Sequence, residues 1–133
     1  MQKRTPKKKL FSALKKVRPH TVKVTGKTVE LKFGKKSVRF KIVANNARNH
    51  VGEWHRKKAI VFVDKHLQGL DKKSIAVHEA VEKIVAQEYK LDVDSQAHEI
   101  AVKAEREWLK KNKGNWRSHQ MKVYYDWKKH GKK

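Results

Sequence analysis

Two stretches of the chain set histidine and glutamate among small apolar residues: "AVHEAVE" (76–82) and "AHEIAVKAE" (97–105). On a helical wheel, Glu82, Val85, Val81, Ile75 and Tyr89 all fall within about 60° of His78. Glu79 falls at the flank of that face, about 100° away. In the second stretch Glu105, Val102, Leu109 and Ala101 fall within about 60° of His98. Four ionisable groups are therefore expected to point from the apolar faces of two helices. A buried carboxylate without a partner costs on the order of several kcal/mol, so these groups must satisfy one another or share a cation. His78, Glu82, His98 and Glu105 are the candidate metal ligands, and imidazole with carboxylate suits zinc, with manganese or iron as further choices. A closed set of four ligands would be structural, and an open set of three leaves a position for water. A buried hydrogen-bond network, His78 with Glu105 and His98 with Glu82, uses the same four groups. Residue types alone leave both readings open.

The elements that position these residues follow from periodicity and punctuation. The first helix is expected over about Lys72–Tyr89, with Asp71 as its N-cap, and "KLDVD" breaks it. Asp94 or Ser95 caps a second helix that runs to about Lys111 and stops at Gly114. A short connection makes the two an antiparallel hairpin. Glu99 is expected to face solvent. Upstream, "TVKV", "TVELKF" and "SVRFKIVAN" alternate apolar and polar residues as half-buried strands do, with turns at Thr25–Thr28 and Gly34–Ser37. "AIVFVD" (59–64) reads as a further strand, and the segment before it as a loop or irregular strand. The fold class expected is α+β: a small antiparallel β-sheet, a meander, followed by an antiparallel helical hairpin. Residues 1–20 read as a basic arm with a short helix over Leu10–Val17, residues 21–116 as one domain, and residues 117–133 as a basic C-terminal segment. In the stretch "NWRSHQMKVYYDWKKHGKK" (115–133), Trp116, Met121, Tyr124 and Trp127 are the expected anchors of a short helix.

"VHEAVE" has the form H-E-x-x-E and resembles the H-E-x-x-H helix of zincin metallopeptidases. That resemblance implies a metal ligand at His78 and a general base at Glu79. It also implies that the strand before the helix, Ala59–Val63, is an edge beside the cleft where an extended peptide can pair. The wider pattern, "VFVDKHL…IAVHEAVEKIVAQEYKLDVDSQAHEIAVKAEREWL…GNW", is similar to a family of small uncharacterised zincin-like proteins from phages, archaea and archaeal viruses. The resemblance covers about residues 59–116. The chain departs from zincins at Glu82, which stands where they have their second histidine. By the resemblance, His98 supplies that second nitrogen ligand, Glu105 completes a His₂Glu set, and Glu82 joins the ligands or supports a histidine from behind. A zinc-dependent hydrolase acting on peptides is the function it implies.

Charge points to a second class of partner. The 133 residues hold 35 Lys and Arg against 13 Asp and Glu, a formal net charge of +22. Residues 1–20 carry eight Lys or Arg and no acid, and nine of the thirteen acids lie between Asp71 and Glu107. Basic ends of this kind favour DNA or RNA through backbone phosphates, and Lys3, Arg4, Lys7, Lys8, Lys9, Lys128 and Lys129 are the candidate contacts. Lysine-rich chains also suit hot environments, where charge networks help. Trp108, Trp116, Tyr124, Tyr125 and Trp127 interleave with these charges and could stack on bases, although packing on the domain accounts for aromatics as well. His20, His50, His55, His66, His119 and His130 lie in polar or basic surroundings and are mostly expected at the surface, with His119 near enough in sequence to approach the site. The absence of cysteine excludes disulfides and thiolate metal sites. No apolar run of transmembrane length and no signal-peptide pattern is present, so a cytoplasmic protein is expected, in the host cell or virion if viral.

Overall fold

The computed structural model describes residues 19–33, 35–45 and 52–131. The expected N-terminal helix and the basic residues Lys3 to Lys9 lie outside these. The chain folds as α+β, with a five-stranded mixed sheet and three helices. Strands β1 (Thr21–Val24), β2 (Thr28–Phe33) and β3 (Lys36–Asn45) form the expected antiparallel meander. The sheet as a whole is not antiparallel. Strand β5 (Ile60–Asp64) runs parallel to β3, with Lys41 opposite Ile60 and Asn45 opposite Asp64. Strand β4 (Gly52–Trp54) lies outside β5 and pairs with it antiparallel, giving the order β1-β2-β3-β5-β4. Two chain reversals separate β3 from β5, so the two must run in the same direction. The edge strand is consequently β4, and the 59–64 segment read as an edge is an interior strand.

Alternation decides which sheet face is buried. Val29, Leu31 and Phe33 of β2, Phe40 and Ile42 of β3, and Val61 and Val63 of β5 form one apolar face. The opposite face carries charge, including a cross-strand pair between Arg39 and Glu30 at 3.1 Å. Helix α1 (Gly69–Glu88) packs on the sheet, and helix α2 (His98–Lys111) packs on α1. Every residue from Ser74 to Val85 is buried. Helix α1 is therefore covered all round, by the sheet, by α2 and by helix α3 (Trp116–Asp126). A wheel that assumes one apolar face and one wet face does not describe such a helix.

The helix ends differ from the sequence reading in instructive ways. Helix α1 begins at Gly69, whose φ of +56° suits a residue without Cβ, and Gln68 is its N-cap. Asp71 is thus inside the first turn, where its carboxylate is available for tertiary contacts. The second helical segment starts with a π-helical turn, Val93–Ala97, and its cap is Asp92 rather than Asp94 or Ser95. The Asp92 carboxylate accepts from the Ser95 N–H at 3.0 Å and the Ser95 hydroxyl at 2.7 Å, and Gln96 Oε1 accepts the Asp92 N–H at 3.0 Å. At the far end of α2, Lys113 takes a left-handed φ of 61°, and Gly114 N–H closes onto Leu109 O at 2.7 Å. With Lys113 N–H donating to Lys110 O at 3.2 Å, this is the double-bonded helix stop, and Lys113 takes the left-handed position at which glycine is commonest.

Two contacts fix the β4–β5 connection onto α1. The buried Lys83 ammonium donates to the His55 and Lys58 carbonyls, and Gln87 donates to the Arg56 carbonyl at 2.8 Å. Strand β4 then approaches α1 so closely that a Cβ at Gly52 would stand 2.6 Å from Ile75 Cγ2 and 2.9 Å from Glu79 Cγ. Ile75 is buried and β-branched and has little room to yield. Gly52→Ala is expected to destabilise the protein by about 1–3 kcal/mol, the usual cost of overpacking, read from urea denaturation midpoints.

Candidate functional site

All four polar groups that the wheel turns inward meet, but not symmetrically. His78 is the centre. Its Nδ1 is 2.8 Å from Glu105 Oε1 on α2, and its Nε2 is 3.1 Å from Glu82 Oε2 one turn on in α1. His98 enters from the start of α2, with Nδ1 3.2 Å from the same Glu82 oxygen and its ring 4.9 Å from that of His78. One ring nitrogen each from His78 and His98 and one Glu82 oxygen lie within 4.8 Å of one another. Glu105 stands on the other side of the His78 ring. His78, Glu82 and Glu105 are buried, whereas the His98 side chain is 54 % exposed. Its place in the first turn after the π-helical segment puts it at the rim rather than in the middle of the interface.

Three further residues complete the cluster. Trp54, on the edge strand, donates its indole N–H to Glu82 Oε1 at 3.1 Å. His119, on α3, is buried and bonds Glu105 Oε2 through Nε2, while its Nδ1 is 2.8 Å from Asp71 Oδ1. Ser74 Oγ lies 3.3 Å from the His119 ring. A continuous chain of polar contacts thus runs Asp71, His119, Glu105, His78, Glu82, His98. Glu79, expected at the flank, is buried, with Oε2 3.9 Å from His78 Nε2. The reason is β4, whose Gly52 covers that flank. Glu99 is exposed as expected.

Trp54 escapes the sequence reading, and His119 enters it only as a residue near enough in sequence to approach the site. His119 has polar neighbours, yet it belongs to a stripe: Trp116, His119, Val123 and Trp127 recur at spacings of three and four. That stripe, and not one through Met121 and Tyr124, faces inward, since Met121 and Tyr124 are 49 % and 53 % exposed. Trp54 sits in a three-residue strand too short to show a period. Of the other aromatics, Trp108 packs in the core and Tyr125 is exposed. His20 and His66 are exposed and His55 is half-buried. Lys128 and Lys129 are exposed.

The charges support one another. Burial opposes a positive His78, but the Glu105 and Glu82 carboxylates outweigh it and hold the imidazole up to about 10. His119 is raised too, burial being overcome by Glu105 and Asp71. Burial pushes Glu82 and Glu105 upward, and their imidazole partners more than reverse this, so both lie below the usual carboxylate range. Glu79 has no such donor. Burial, with the Glu82 and Glu105 carboxylates adding, pushes it up to about 8 against the pull of His78.

The site opens into a groove of about 1040 Å³. β4 forms one wall through Gly52, Glu53 and Trp54, and α3 with the residue that follows it forms the other through Trp116, Val123 and Trp127. A groove of this size takes a small molecule or an extended segment of chain.

The shifts of His78 and Glu79 set a pH dependence for the metal-free protein. Each binds its proton more tightly folded than unfolded, so each contributes stability that is lost as pH rises. The Glu79 part is lost between about 4.5 and 8, and the His78 part between 6.5 and about 10. Thermal midpoints in EDTA are expected to fall steadily from pH 5.5 to pH 9. Glu79→Gln removes the lower part of that slope and leaves the upper part.

Protein-family models, curated proteins and solved structures were compared with the chain, and none matches it.

Proposed function

We propose that the protein is a zincin-like metal-binding protein and a metal-dependent hydrolase of peptides. The observation that carries this reading is the convergence of His78, Glu82 and His98 ligating atoms within 4.8 Å at the floor of a groove. Two imidazoles and one carboxylate suit zinc, with manganese or iron as alternatives, and three protein ligands leave a position open.

The surrounding contacts fit the donor set. His78 Nδ1–H is committed to Glu105, which turns Nε2 toward Glu82 and His98. A carboxylate on the far nitrogen fixes the tautomer and raises the basicity of a ligating imidazole. Glu105 is held in turn by His119, and His119 by Asp71. The Trp54 N–H occupies Glu82 Oε1 and leaves Oε2 on the side of the two histidines. In this assignment Glu82 is a ligand, and Glu105 is the residue that orients His78.

When bound, the ion supplies Lewis acidity for carbonyl polarisation and water activation. The chain's own residues do the rest. Glu79, beside His78 Nε2 and facing Gly52, is the base that takes a proton from the attacking water and returns it to the leaving amine. A dication next to Glu79 favours its ionised form, the form a base needs. The free edge of β4 offers backbone groups to an extended peptide laid along the groove, and Trp116, Val123 and Trp127 offer apolar contacts opposite.

Elemental analysis of protein purified without chelator tests the site. About one equivalent of zinc is expected in the parent, and His78→Ala and His98→Ala should each lose most of it. Parent-like metal content in both variants would sink the proposal. Catalysis is tested separately: Glu79→Gln is expected to keep the metal and to lose hydrolysis of a quenched peptide library by about 10²–10⁴-fold, the usual contribution of a positioned base.

A further inference from the structure

The turn "VDKHL" (63–67) and the end of α3 bring together a second set of groups that the groove site does not use. Asp64, the last residue of β5, has a fully buried side chain. Its Oδ1 accepts the His66 N–H at 2.8 Å and lies 2.7 Å from His66 Nδ1. Its Oδ2 is buried without a hydrogen-bond partner among the described residues, and so is Asp126 Oδ2 at the end of α3. Asp64, His66 and Asp126 each place one ligating atom within 4.8 Å of the others. The His66 side chain is 35 % exposed, so the group can be reached from solvent.

Two carboxylates set this close together, one of them wholly buried, repel each other unless something positive lies between them. A dication neutralises both carboxylates at once, whereas a proton held between them cancels only one of the two charges. An oxygen-rich set with one imidazole suits manganese, with zinc next.

We propose that Asp64, His66 and Asp126 form a second divalent-cation site that fastens the end of α3 to the C-terminal end of β5. Helix α3 is the wall of the groove that carries Trp116, His119 and Val123. An ion at its end therefore acts on the groove by fixing that wall, without touching the groove cluster. The site does not depend on the hydrolase reading, because no ligand is shared.

The test uses the full chain with His78→Ala and His98→Ala, which removes both imidazoles of the proposed groove ligand set. Titration with Mn²⁺ at pH 7.5, followed by the loss of free-ion EPR signal, is expected to show one bound ion per chain and a rising thermal midpoint. Adding Asp126→Asn should weaken binding at least tenfold and abolish the rise. His66→Gln, at a partly exposed position, is the second variant, and it should weaken binding in a chain whose circular dichroism is unchanged. No Mn²⁺ bound by the doubly substituted chain, or equal affinity after Asp126→Asn and His66→Gln, overturns the proposal. The outcome is separable from that of the groove site, whose metal depends on His78 and His98.

Discussion

His78 has a carboxylate at each ring nitrogen, and the packing of the molecule depends on such pairings because α1 is buried on every side. A polar residue on a wholly buried helix must find a partner on whichever neighbour it faces. Apart from Glu79, each one here reaches a neighbouring element. Ser74 reaches His119 on α3, and His78 reaches Glu105 on α2. Glu82 takes Trp54 from the edge strand and His98 from the start of α2, and Lys83 takes two carbonyls of the β4–β5 connection. The apolar residues of α1, such as Val77, Val81 and Val85, supply burial without direction. The polar ones specify which element lies where.

The same pairings bear on whether the cluster is a metal centre or only a structural network. A network that exists for packing gains most from groups that are fully desolvated and matched. His78, Glu105 and His119 fit that description, since all three are buried and each has a bonded partner. His98 does not, because more than half its side chain is exposed and its Nδ1 meets Glu82 Oε2, which His78 also uses. One carboxylate oxygen facing two imidazole nitrogens at the floor of a groove is poorly explained by stability. It is well explained by a cation drawn from solvent. The inner part of the cluster is thus matched as a scaffold is, and its outer part is the part that could hold a cation.

Much of this is legible in the sequence, and the failures have physical causes. Strands β2, β3 and β5 bury alternate residues, so a period of two marks them. The wheel brings His78, Glu82, His98 and Glu105 to one place because helical spacing is local. It sets Glu79 at the flank and does not show its cover, which comes from Gly52, 27 positions earlier on a strand of three residues. The parallel pairing of β3 with β5 is a matter of chain path, which no local pattern records. Which side of the His78 ring each glutamate takes depends on how α2 is set against α1. Periodicity assigns both to the interface and stops there.

Helix α3 is seated by directional contacts more than by apolar ones. Of its residues only His119 is buried, and its large side chains at Met121, Tyr124 and Tyr125 are exposed. An element so poor in buried apolar area gains little from the hydrophobic effect, so its seat depends on polar anchors. His119 ties its first half to Asp71 and Glu105, Lys122 stands 3.6 Å from Asp71, and Asp126 at its end faces Asp64. Apolar contacts are indifferent to pH and to ions, whereas these anchors are carboxylates and imidazoles whose strength depends on protons and cations. The groove therefore has one wall, β4, held by the sheet and by Lys83, and one wall, α3, held by titratable groups. If the width of the groove changes with conditions, α3 is the wall that moves.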